Sequence, residues 1–513
     1  MDFYATFFSL LPPIIAIGLA LITKEVYSSL FIGILAGGLL FSGFHPVATM
    51  EHVFVDGMIG SLSDAWNVGI LIFLVILGGM VMLMNRAGGS SAFGRWSVEH
   101  VKTKVGAQIC TIILGCLIFI DDYFNCLTVG SVMRPLTDKH GISRAKLAYL
   151  IDATAAPVCI IAPISSWAAA VVGFVDGADG LSLFTRAIPY NFYALLTITM
   201  MLTLTFGGFD YGPMKKAERS EKNSGGYPVQ RASITGAEDQ PEPPFSTRGK
   251  VIHLVLPIVM LIIFCVLGMI YTGEFFDPAA EGYMNFKIAF SNSDASVGLV
   301  YGSVIAMILT VIFYIATRVL TFKECMNAIP EGFKSMVPAI LILTFAWTLK
   351  AMTDSLGAAE YVAGIVKGFA HNNALMSLLP AIVFAVACFL AFATGTSWGT
   401  FGILIPIVVD VFNADLGNEL MIIAISACMA GAVFGDHCSP ISDTTIMASA
   451  GAQCDHITHV STQLPYTLTV GLTCIACYVF TGFIRSWKIC LPISVLLMIS
   501  VLLVLRSVTA KED

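Results

Sequence analysis

The sequence predicts an all-α polytopic membrane protein, built from two inverted repeats with re-entrant hairpins and broken helices, plus one extra C-terminal helix. Three observations lead to this fold class. Hydrophobic residues make up 57% of the 513 residues and charged residues only 12%, whereas soluble domains carry about 25% charged residues. Apolar windows of about 20 residues, the length that crosses a bilayer, recur along almost the whole chain. Short motifs also recur in the same order in its two halves.

The apolar windows form two groups of spans, separated by a polar linker. The first group is predicted near residues 7–23, 27–44, 66–87, 106–133, 145–172 and 188–208. The second group is predicted near residues 251–271, 296–319, 336–352, 376–412, 419–449, 461–482 and 487–506. The predicted organisation is a first membrane repeat over 1–208, a linker over 209–250, a second membrane repeat over 251–482, and an extra transmembrane helix and tail over 483–513.

Matched motifs about 270 residues apart indicate an internal duplication. The matched pairs are VDGM at 55–58 with PEGF at 330–333, APISS at 162–166 with SPISD at 439–443, and FIDDYFN at 119–125 with FATGTSW at 392–398. Each match is short, but all three keep the same order in both halves. The two halves are therefore expected to share one topology.

The distribution of basic residues orients the two halves. The linker carries a basic cluster, a PEPP run and no hydrophobic periodicity, so it is predicted to be irregular and cytoplasmic. The basic residues on both sides of 106–133 then lie inside only if that segment is a hairpin that enters and returns. Five crossings in the first half invert the second half, whose hairpin 376–412 enters from outside. The predicted location is the cytoplasmic (inner) cell membrane.

Residues 431–451, GAVFGDHCSPISDTTIMASAG, place polar side chains and helix breakers inside an apolar run. Gly435 and Pro440 interrupt a helix, and backbone freed at membrane depth finds partners only inside protein or beside a wet cavity. Asp436 and Asp443 each cost at least ~2.5–3.5 kcal/mol there on insertion scales. The run therefore predicts a functional site in a broken membrane helix, with a soluble loop between two helices as the alternative.

Three further polar segments are predicted to converge on this site, namely the hairpin tips at 119–125 and 392–398 and a first broken helix over 152–166. Hydroxyl and carboxylate oxygens suit small hard cations, and helix ends add their dipoles. The candidate substrate- or ion-binding residues are Asp436, Asp443, Ser439, Ser442, Thr444, Thr394, Thr396, Ser397, Asp122, Asn125, Asp152, Thr154, Ser165 and Ser166. Within this set, Asp436 and Asp443 are the sodium candidates.

These residues resemble the NhaC-type sodium/proton antiporter family of the wider ion-transporter superfamily. The resemblance is carried by GDHCSPISDTT at 435–445, ATGTSWGTF at 393–401, LPPIIAIGLALITKE at 11–25, DDYFN at 121–125 and IDATAAP at 151–157. It covers nearly the whole chain except the linker. The resemblance implies proton-driven exchange of sodium. Relatives in that family exchange organic acids together with ions, so the resemblance does not identify the substrate.

The principal expectation is a sodium/proton antiporter, in which Na⁺ and H⁺ compete for one intramembrane carboxylate site. The alternative is a sodium- or proton-coupled transporter or exchanger of a small organic acid or amino acid, whose carboxylate the helix N-termini and the Thr/Ser-rich tip would hold. His437 is either a proton-linked switch or a hydrogen-bonded pore residue. The proton carrier is left open among Asp121, Asp122, Asp152, Asp436 and Asp443.

The sequence has no Walker A motif and no dinucleotide fingerprint, so an ion gradient is the expected source of energy. No enzymatic activity and no cofactor are expected, because Na⁺ and H⁺ are transported or coupling ions. The expected partners are small inorganic cations, a small organic anion or amino acid in the alternative function, and the lipid bilayer. Nucleic acid is not an expected partner, and a homodimer is left open.

Overall fold

The computed structural model describes residues 3–23, 25–119, 122–163, 165, 167, 171, 180–223, 246, 248–358, 360–361, 364, 376–412 and 417–509. Within these ranges the regular structure is helical. The helices up to the linker are α1 (Leu11–Thr23), α2 (Val26–Ser42), α3 (Pro46–Glu51), α4 (Gly60–Ser63), α5 (Ala65–Arg86), α6 (Gly89–His100), α7 (Lys104–Leu117), α8 (Asp122–Lys139), α9 (Arg144–Thr154), α10 (Ala156–Cys159), α11 (Gly180–Ala187), α12 (Phe192–Gly207) and α13 (Gly212–Asn223).

The helices after the linker continue in the same manner. They are α14 (Ile252–Thr272), α15 (Phe286–Ser291), α16 (Ala295–Ala316), α17 (Phe322–Ser355), α18 (Leu379–Thr394), α19 (Ser397–Val411), α20 (Glu419–Cys438), α21 (Asp443–Ala452), α22 (His456–Ile484) and α23 (Trp487–Thr509). Shorter turns complete the described structure, namely a π-helix over His52–Ile59 and 3₁₀ turns over Phe7–Leu10, Ile188–Tyr190 and Met376–Leu378.

Seven helices in the described part of the chain are long and apolar enough to cross a membrane, and up to eight if the bent pair Ser182–Tyr190 and Phe192–Gly207 forms one span. The prediction of an all-α polytopic membrane protein is therefore confirmed. Burial orders these spans from the centre outward. The apolar window of α20 is 94% buried inside the protein, against 22% for α23. Helix α20, which carries the predicted broken segment, thus lies at the centre of the bundle.

The two predicted hairpins both reverse the chain. Asn125 Nδ2, in the first turn of α8, donates to the carbonyls of Gly115 at 2.7 Å and Ile118 at 2.8 Å, at the end of α7. These contacts require α8 to fold back over α7, because ten residues of continuous helix would span about 15 Å. The segment predicted as one hairpin over 106–133 is therefore the pair α7–α8.

The second hairpin turns at Gly395, which has a positive φ of 67°. Ser439 Oγ donates to the Phe392 carbonyl at 2.9 Å. Ser397 Oγ donates to the Ala432 carbonyl at 3.1 Å, two turns back along α20. The chain has therefore reversed between α18 and α19. In each half a hairpin precedes a broken helix, as predicted, whereas the inverted relation between the halves stays a prediction.

Two elements differ from the prediction. The first part of the linker, predicted to be irregular, forms helix α13, and its Glu218 accepts from Lys104 and from the Ser143 main-chain N–H at 2.8 Å. These contacts hold a polar helix without an apolar repeat. Helix α17, predicted only over 336–352, begins at Phe322, because a capping box of Thr321 and Glu324 starts the helix in a polar segment. Most of the linker, residues 224–245 and 247, lies outside the described residues.

Candidate functional site

The break predicted within 431–451 lies at residues 439–442, between the end of α20 and the start of α21. Ser442 caps α21 by accepting a hydrogen bond from the Thr445 main-chain N–H at 3.3 Å, and Pro440 lacks the N–H that would continue α20. Asp436 lies in the last turn of α20 and Asp443 is the first residue of α21. The two carboxylates therefore stand on opposite sides of one break.

Asp436 is 3% exposed and accepts a hydrogen bond at Oδ2 from Thr444 Oγ1 at 2.7 Å. Thr444 Oγ1 is also 3.0 Å from Ser442 Oγ. The C-terminal end of a helix carries partial negative charge from its unpaired carbonyls. When ionised, Asp436 adds a full negative charge at the end of α20. This end of the break therefore attracts a cation.

Asp443 is less buried and is held by two aromatic donors from other helices. Its Oδ2 accepts from Tyr123 on α8 at 3.3 Å and from the Trp347 indole N–H on α17 at 3.2 Å. A carboxylate in the first turn of a helix is also stabilised by the helix dipole. Asp443 is thus positioned from three helices while keeping partial solvent access.

Asp152, near the end of α9, is fully buried beside the same break. Its Oδ2 accepts from Gln463 Nε2 at 2.6 Å and from Thr445 Oγ1 at 3.2 Å, and it lies 3.3 Å from His459 Nε2. Its Oδ1 lies 3.6 Å from His437 Nε2. The first broken helix and the second are therefore in direct contact, as the sequence predicts.

The tip of the second hairpin packs against the break, but not all of the hydroxyl groups of this tip point toward the break. Gly395 lies so close to the Ile441 main chain that a Cβ would clash with it. Thr394 Oγ1 donates to the Leu390 carbonyl at 2.9 Å, and Ser397 bonds α20 as described above. Thr396 remains partly exposed. This tip therefore supports the break, and Thr396 is its accessible hydroxyl.

Several other candidates lie near the site but use their polar atoms locally. The Asn125 amide bonds three main-chain carbonyls, the third being that of Thr154 at 3.2 Å. Thr154 Oγ1 donates to Leu150 O at 2.8 Å and Ser165 Oγ to Cys159 O at 2.8 Å. Asp122 is buried at the start of α8. Asp121 and Ser166 lie outside the described residues.

Sequence reasoning missed five side chains that contact the break or the residues beside it. They are Tyr123, Trp347, His459, Gln463 and Tyr193, whose hydroxyl lies 3.1 Å from His437 Nδ1. The aromatic residues resemble ordinary core residues in an apolar run. His459 and Gln463 had a usable signal, because two polar residues four apart share one face of an apolar helix.

A cavity of about 240 Å³ lies beside the hairpin tip and α17. Its polar lining comprises Lys350, Asp354, Glu360, Thr394, Thr396 and Thr400. Lys350 Nζ is 2.8 Å from Asp354 Oδ2, and both side chains are more than a third exposed. Lys350 lies one helical turn from Trp347, which bonds Asp443. The cavity is thus next to the partly accessible side of the break.

Comparison with known proteins places these features in a family. The model of the Na⁺/H⁺ antiporter family matches residues 158–483. A protein of Haemophilus influenzae whose function is uncharacterized is 37% identical over 503 residues, which are 95% of this chain and 93% of that protein. These two matches cover both the broken helices and most of the bundle.

Two further relatives match shorter regions. The malate-2H⁺/Na⁺-lactate antiporter of Bacillus subtilis is 29% identical over 33% of this chain and 35% of its own. An uncharacterized Na⁺/H⁺ antiporter of Haemophilus influenzae is 31% identical over 31% of this chain and 33% of its own. The relatives that carry functional names are antiporters, not enzymes. This chain is a multi-pass secondary transporter and belongs to the Na⁺/H⁺ antiporter family.

Proposed function

We propose that this transporter exchanges sodium for protons at the break between α20 and α21, with Asp436 and Asp443 as the cation-binding carboxylates. One observation carries the proposal. Buried Asp436 lies in the last turn of α20, and Asp443 is the first residue of α21 on the other side of the break. In the described part of the chain, neither carboxylate has a Lys or Arg nitrogen within the 4.0 Å of an ion pair.

No Lys or Arg among the described residues pairs with these carboxylates, so the site favours binding of a mobile cation. An ionised carboxylate in a protein interior costs several kcal/mol unless a positive charge compensates it. Sodium would compensate it through oxygen coordination, and a proton would do so by binding a carboxylate oxygen. Because either cation compensates negative charge beside the break, binding of one weakens binding of the other. Binding one on each side of the membrane produces exchange.

The ligand chemistry favours a small hard cation. Hard cations prefer carboxylate, hydroxyl and carbonyl oxygens. Asp436, Asp443, Ser442 and Thr444 supply the first two kinds of oxygen, and the end of α20 supplies carbonyls. The ligand set is therefore suited to sodium.

The test is a sodium pulse on purified protein in liposomes that enclose a pH-sensitive dye. We expect external sodium alone to make the interior more alkaline, because protons leave as sodium enters. A matched pulse of potassium and protein-free liposomes are the controls. Sodium that moves no protons until an organic solute is added would contradict the proposal.

A second function, exchange of a small organic acid together with ions, is favoured by the cavity beside Lys350. There the Lys350 ammonium group and the Thr396 hydroxyl line the cavity together with the Asp354 and Glu360 carboxylates, and ammonium and hydroxyl groups bind carboxylates through charge-assisted hydrogen bonds. The Bacillus subtilis relative is named for malate and lactate. In this function the aspartates would hold the coupling cation.

Lys350→Met distinguishes the two functions. If an organic acid is carried, uptake of radiolabelled lactate or malate falls by about tenfold or more, the effect of removing one charged hydrogen-bond partner. If the protein exchanges only sodium and protons and the cavity has no role, Lys350→Met leaves sodium/proton exchange unchanged. Lys323→Met is the matched control, because Lys323 is exposed near the other end of α17. The ion pair with Asp354 is exposed and contributes little to stability.

We also propose that the linker faces the cytoplasm and that the two repeats are inverted. The basic cluster and the common order of hairpin and broken helix support both statements. A single cysteine replacing Ser224 in a cysteine-free variant is expected to resist impermeant thiol reagents on intact cells. Ready labelling from outside would contradict this topology. A cysteine replacing Thr396 is expected to react from outside, since its hairpin enters from that side.

A further inference from the structure

Asp152, His459 and Gln463 form a buried cluster that joins α9 to α22 and differs from the cation site in having imidazole groups beside its carboxylate. Asp152, His459 and Gln463 are each 0% exposed. In the described part of the chain, Asp152 has no Lys or Arg nitrogen within 4.0 Å, and its charged contacts are to the imidazoles of His459 and His437. A buried carboxylate without a compensating positive charge is unfavourable. The imidazoles are the groups that can supply that charge by taking up a proton.

The hydrogen bonds of the cluster are incomplete among the described residues. Asp152 Oδ1, His459 Nδ1 and Gln463 Oε1 are buried atoms that have no hydrogen-bond partner there. His456, one turn earlier on α22, provides the contrast. Its two ring nitrogens lie 2.9 Å from Ser449 Oγ and 2.6 Å from the Pro440 carbonyl. His456 is therefore fully engaged in holding the break, whereas His459 faces a carboxylate.

The ligand that fits this cluster is a proton. In the described part of the chain, no group of three or more His, Cys, Asp and Glu side chains is arranged to hold a metal ion. With neutral imidazoles and ionised Asp152, the cluster carries one buried negative charge. One proton, bound to either Asp152 or His459, cancels it. A buried site is therefore neutral with the proton and anionic without it.

The cluster is physically connected to the break. Thr445 Oγ1 lies 3.2 Å from Asp152 Oδ2 and 3.5 Å from the Asp436 carbonyl. Gln463 Nε2 donates both to Asp152 and, at 2.9 Å, to the His437 carbonyl in the last turn of α20. A change of charge at Asp152 therefore acts on both sides of the break, through one hydroxyl and one amide.

Other titratable groups surround the cluster and influence how its charge responds to pH. Those that interact with Asp152 or His459 are Tyr193 on α12, Asp436, His437 and Cys438 on α20, and His456 on α22. Tyr149 lies one turn before Asp152 on α9 and contacts Tyr466 on α22. Asp443, at the start of α21, bonds Tyr123 and Trp347 instead.

We infer that Asp152 and His459 form a proton-binding site separate from the cation site, and that this site carries the proton exchanged for the cation. The inference rests on the proposed function. A cation entering beside Asp436 repels the proton of the cluster, because charges interact strongly in a medium of low dielectric constant. The proton is released, and the cluster becomes anionic as the cation site gains one positive charge. Exchange follows from this electrostatic coupling without a shared ligand.

The test combines a spectroscopic readout with a transport readout. Infrared difference spectra of purified protein are recorded between about pH 5.5 and about pH 8.5. We expect carboxyl or imidazole bands that vanish in Asp152→Asn and change in His459→Gln. His456→Gln, the matched buried histidine, is expected to keep those bands. Spectra of Asp152→Asn and His459→Gln identical to that of the parent would overturn the inference.

Transport of radioactive sodium in His459→Gln completes the test. Sodium–sodium exchange at one pH is expected to stay within about twofold of the parent, because Asp436 and Asp443 are intact, while sodium-driven proton movement falls by about tenfold or more. Parental proton movement in His459→Gln would overturn the inference. If the parent moves no sodium but the Asp152-dependent bands persist, the proton site stands and the proposed function fails. If Asp152→Asn does not fold, His459→Gln carries both readouts.

Discussion

The carboxylates of Asp436 and Asp152 both lie beside one helix break, in surroundings of different chemistry. Asp436 meets hydroxyl groups, with Thr444 donating at 2.7 Å. Asp152 meets two imidazoles, an amide and the Thr445 hydroxyl. Hydroxyl oxygens can coordinate sodium, whereas an imidazole binds a proton within the physiological pH range. Two carboxylates beside the same break are therefore suited to different ligands.

Adjacent threonines connect the two regions. Thr444 turns its hydroxyl to Asp436, and Thr445 turns its hydroxyl to Asp152. Successive residues on a helix project about 100° apart, since 3.6 residues make a turn. The first turn of α21 can therefore serve both carboxylates. Substitutions that change one region at a time test whether the two carboxylates act separately.

The largest effect is expected for Asp436→Asn. Asparagine keeps the size of the side chain and can accept hydrogen bonds but cannot ionise, so the site loses the charge that attracts the cation. We expect coupled transport to be abolished while the protein is still made and folded. Transport is measured per folded molecule, with monodispersity in detergent as the check of folding. Parental rates with unchanged sodium and pH dependence would mean that the break is only structural.

Asp443→Asn is expected to have a smaller effect, because Asp443 keeps partial solvent access and is stabilised by the N-terminus of α21. We predict a loss of sodium affinity of at least about tenfold, equivalent to ~1.4 kcal/mol. The half-saturating sodium concentration for exchange measures it. Asp354→Asn, exposed on α17, is the matched control. Equal loss in both variants would indicate a general charge effect on the approach of sodium.

The pair Thr444→Val and Thr445→Val separates the regions with changes of nearly equal shape. Removing the Thr444 hydroxyl is predicted to lower sodium affinity about fivefold, since a typical intramolecular hydrogen bond contributes ~0.5–1.5 kcal/mol net. Removing the Thr445 hydroxyl is predicted to alter the pH dependence of exchange instead. Sodium affinity, measured at the pH where exchange is fastest, is predicted to stay within about twofold of the parent. Identical effects of the two changes would show that the two carboxylates act as one site.

The sequence predicts the places where the helices break, because the physical cost of polar residues and breakers in an apolar run is local. Pro440 marks the end of α20 within two residues, and Gly395 marks the turn of the second hairpin. Gly435 does not break the helix as predicted, because it lies inside α20 where the main chain packs closely against Cys388 of α18. The common order of hairpin and broken helix follows from the same signals. The convergence of Asp152 with the second break is also predicted correctly. The inverted relation of the halves stays a prediction.

The side chains that meet across long stretches of sequence could not be predicted. Asp443 bonds Tyr123, 320 residues away, and Asp152 bonds Gln463, 311 residues away. A tyrosine or tryptophan in an apolar run predicts only burial, and its polar atom gives no sign of its partner. Helix α13 was missed for a related reason. Its helix is held by tertiary contacts of Glu218 rather than by an apolar repeat.

The smallest effect is expected for Tyr123→Phe, which removes one donor to Asp443 and keeps the ring. The hydroxyl donates at 3.3 Å, longer than the usual O–H···O distance, and a typical hydrogen bond contributes ~0.5–1.5 kcal/mol net, so we predict a loss of sodium affinity of about threefold. Trp347 still donates to the same oxygen at 3.2 Å, which limits the loss. Tyr271→Phe, exposed on α14, is the control. An unchanged affinity in Tyr123→Phe would show that the aromatic donors only pack around Asp443, whereas a loss as large as that of Asp443→Asn would show that they set its position for the cation.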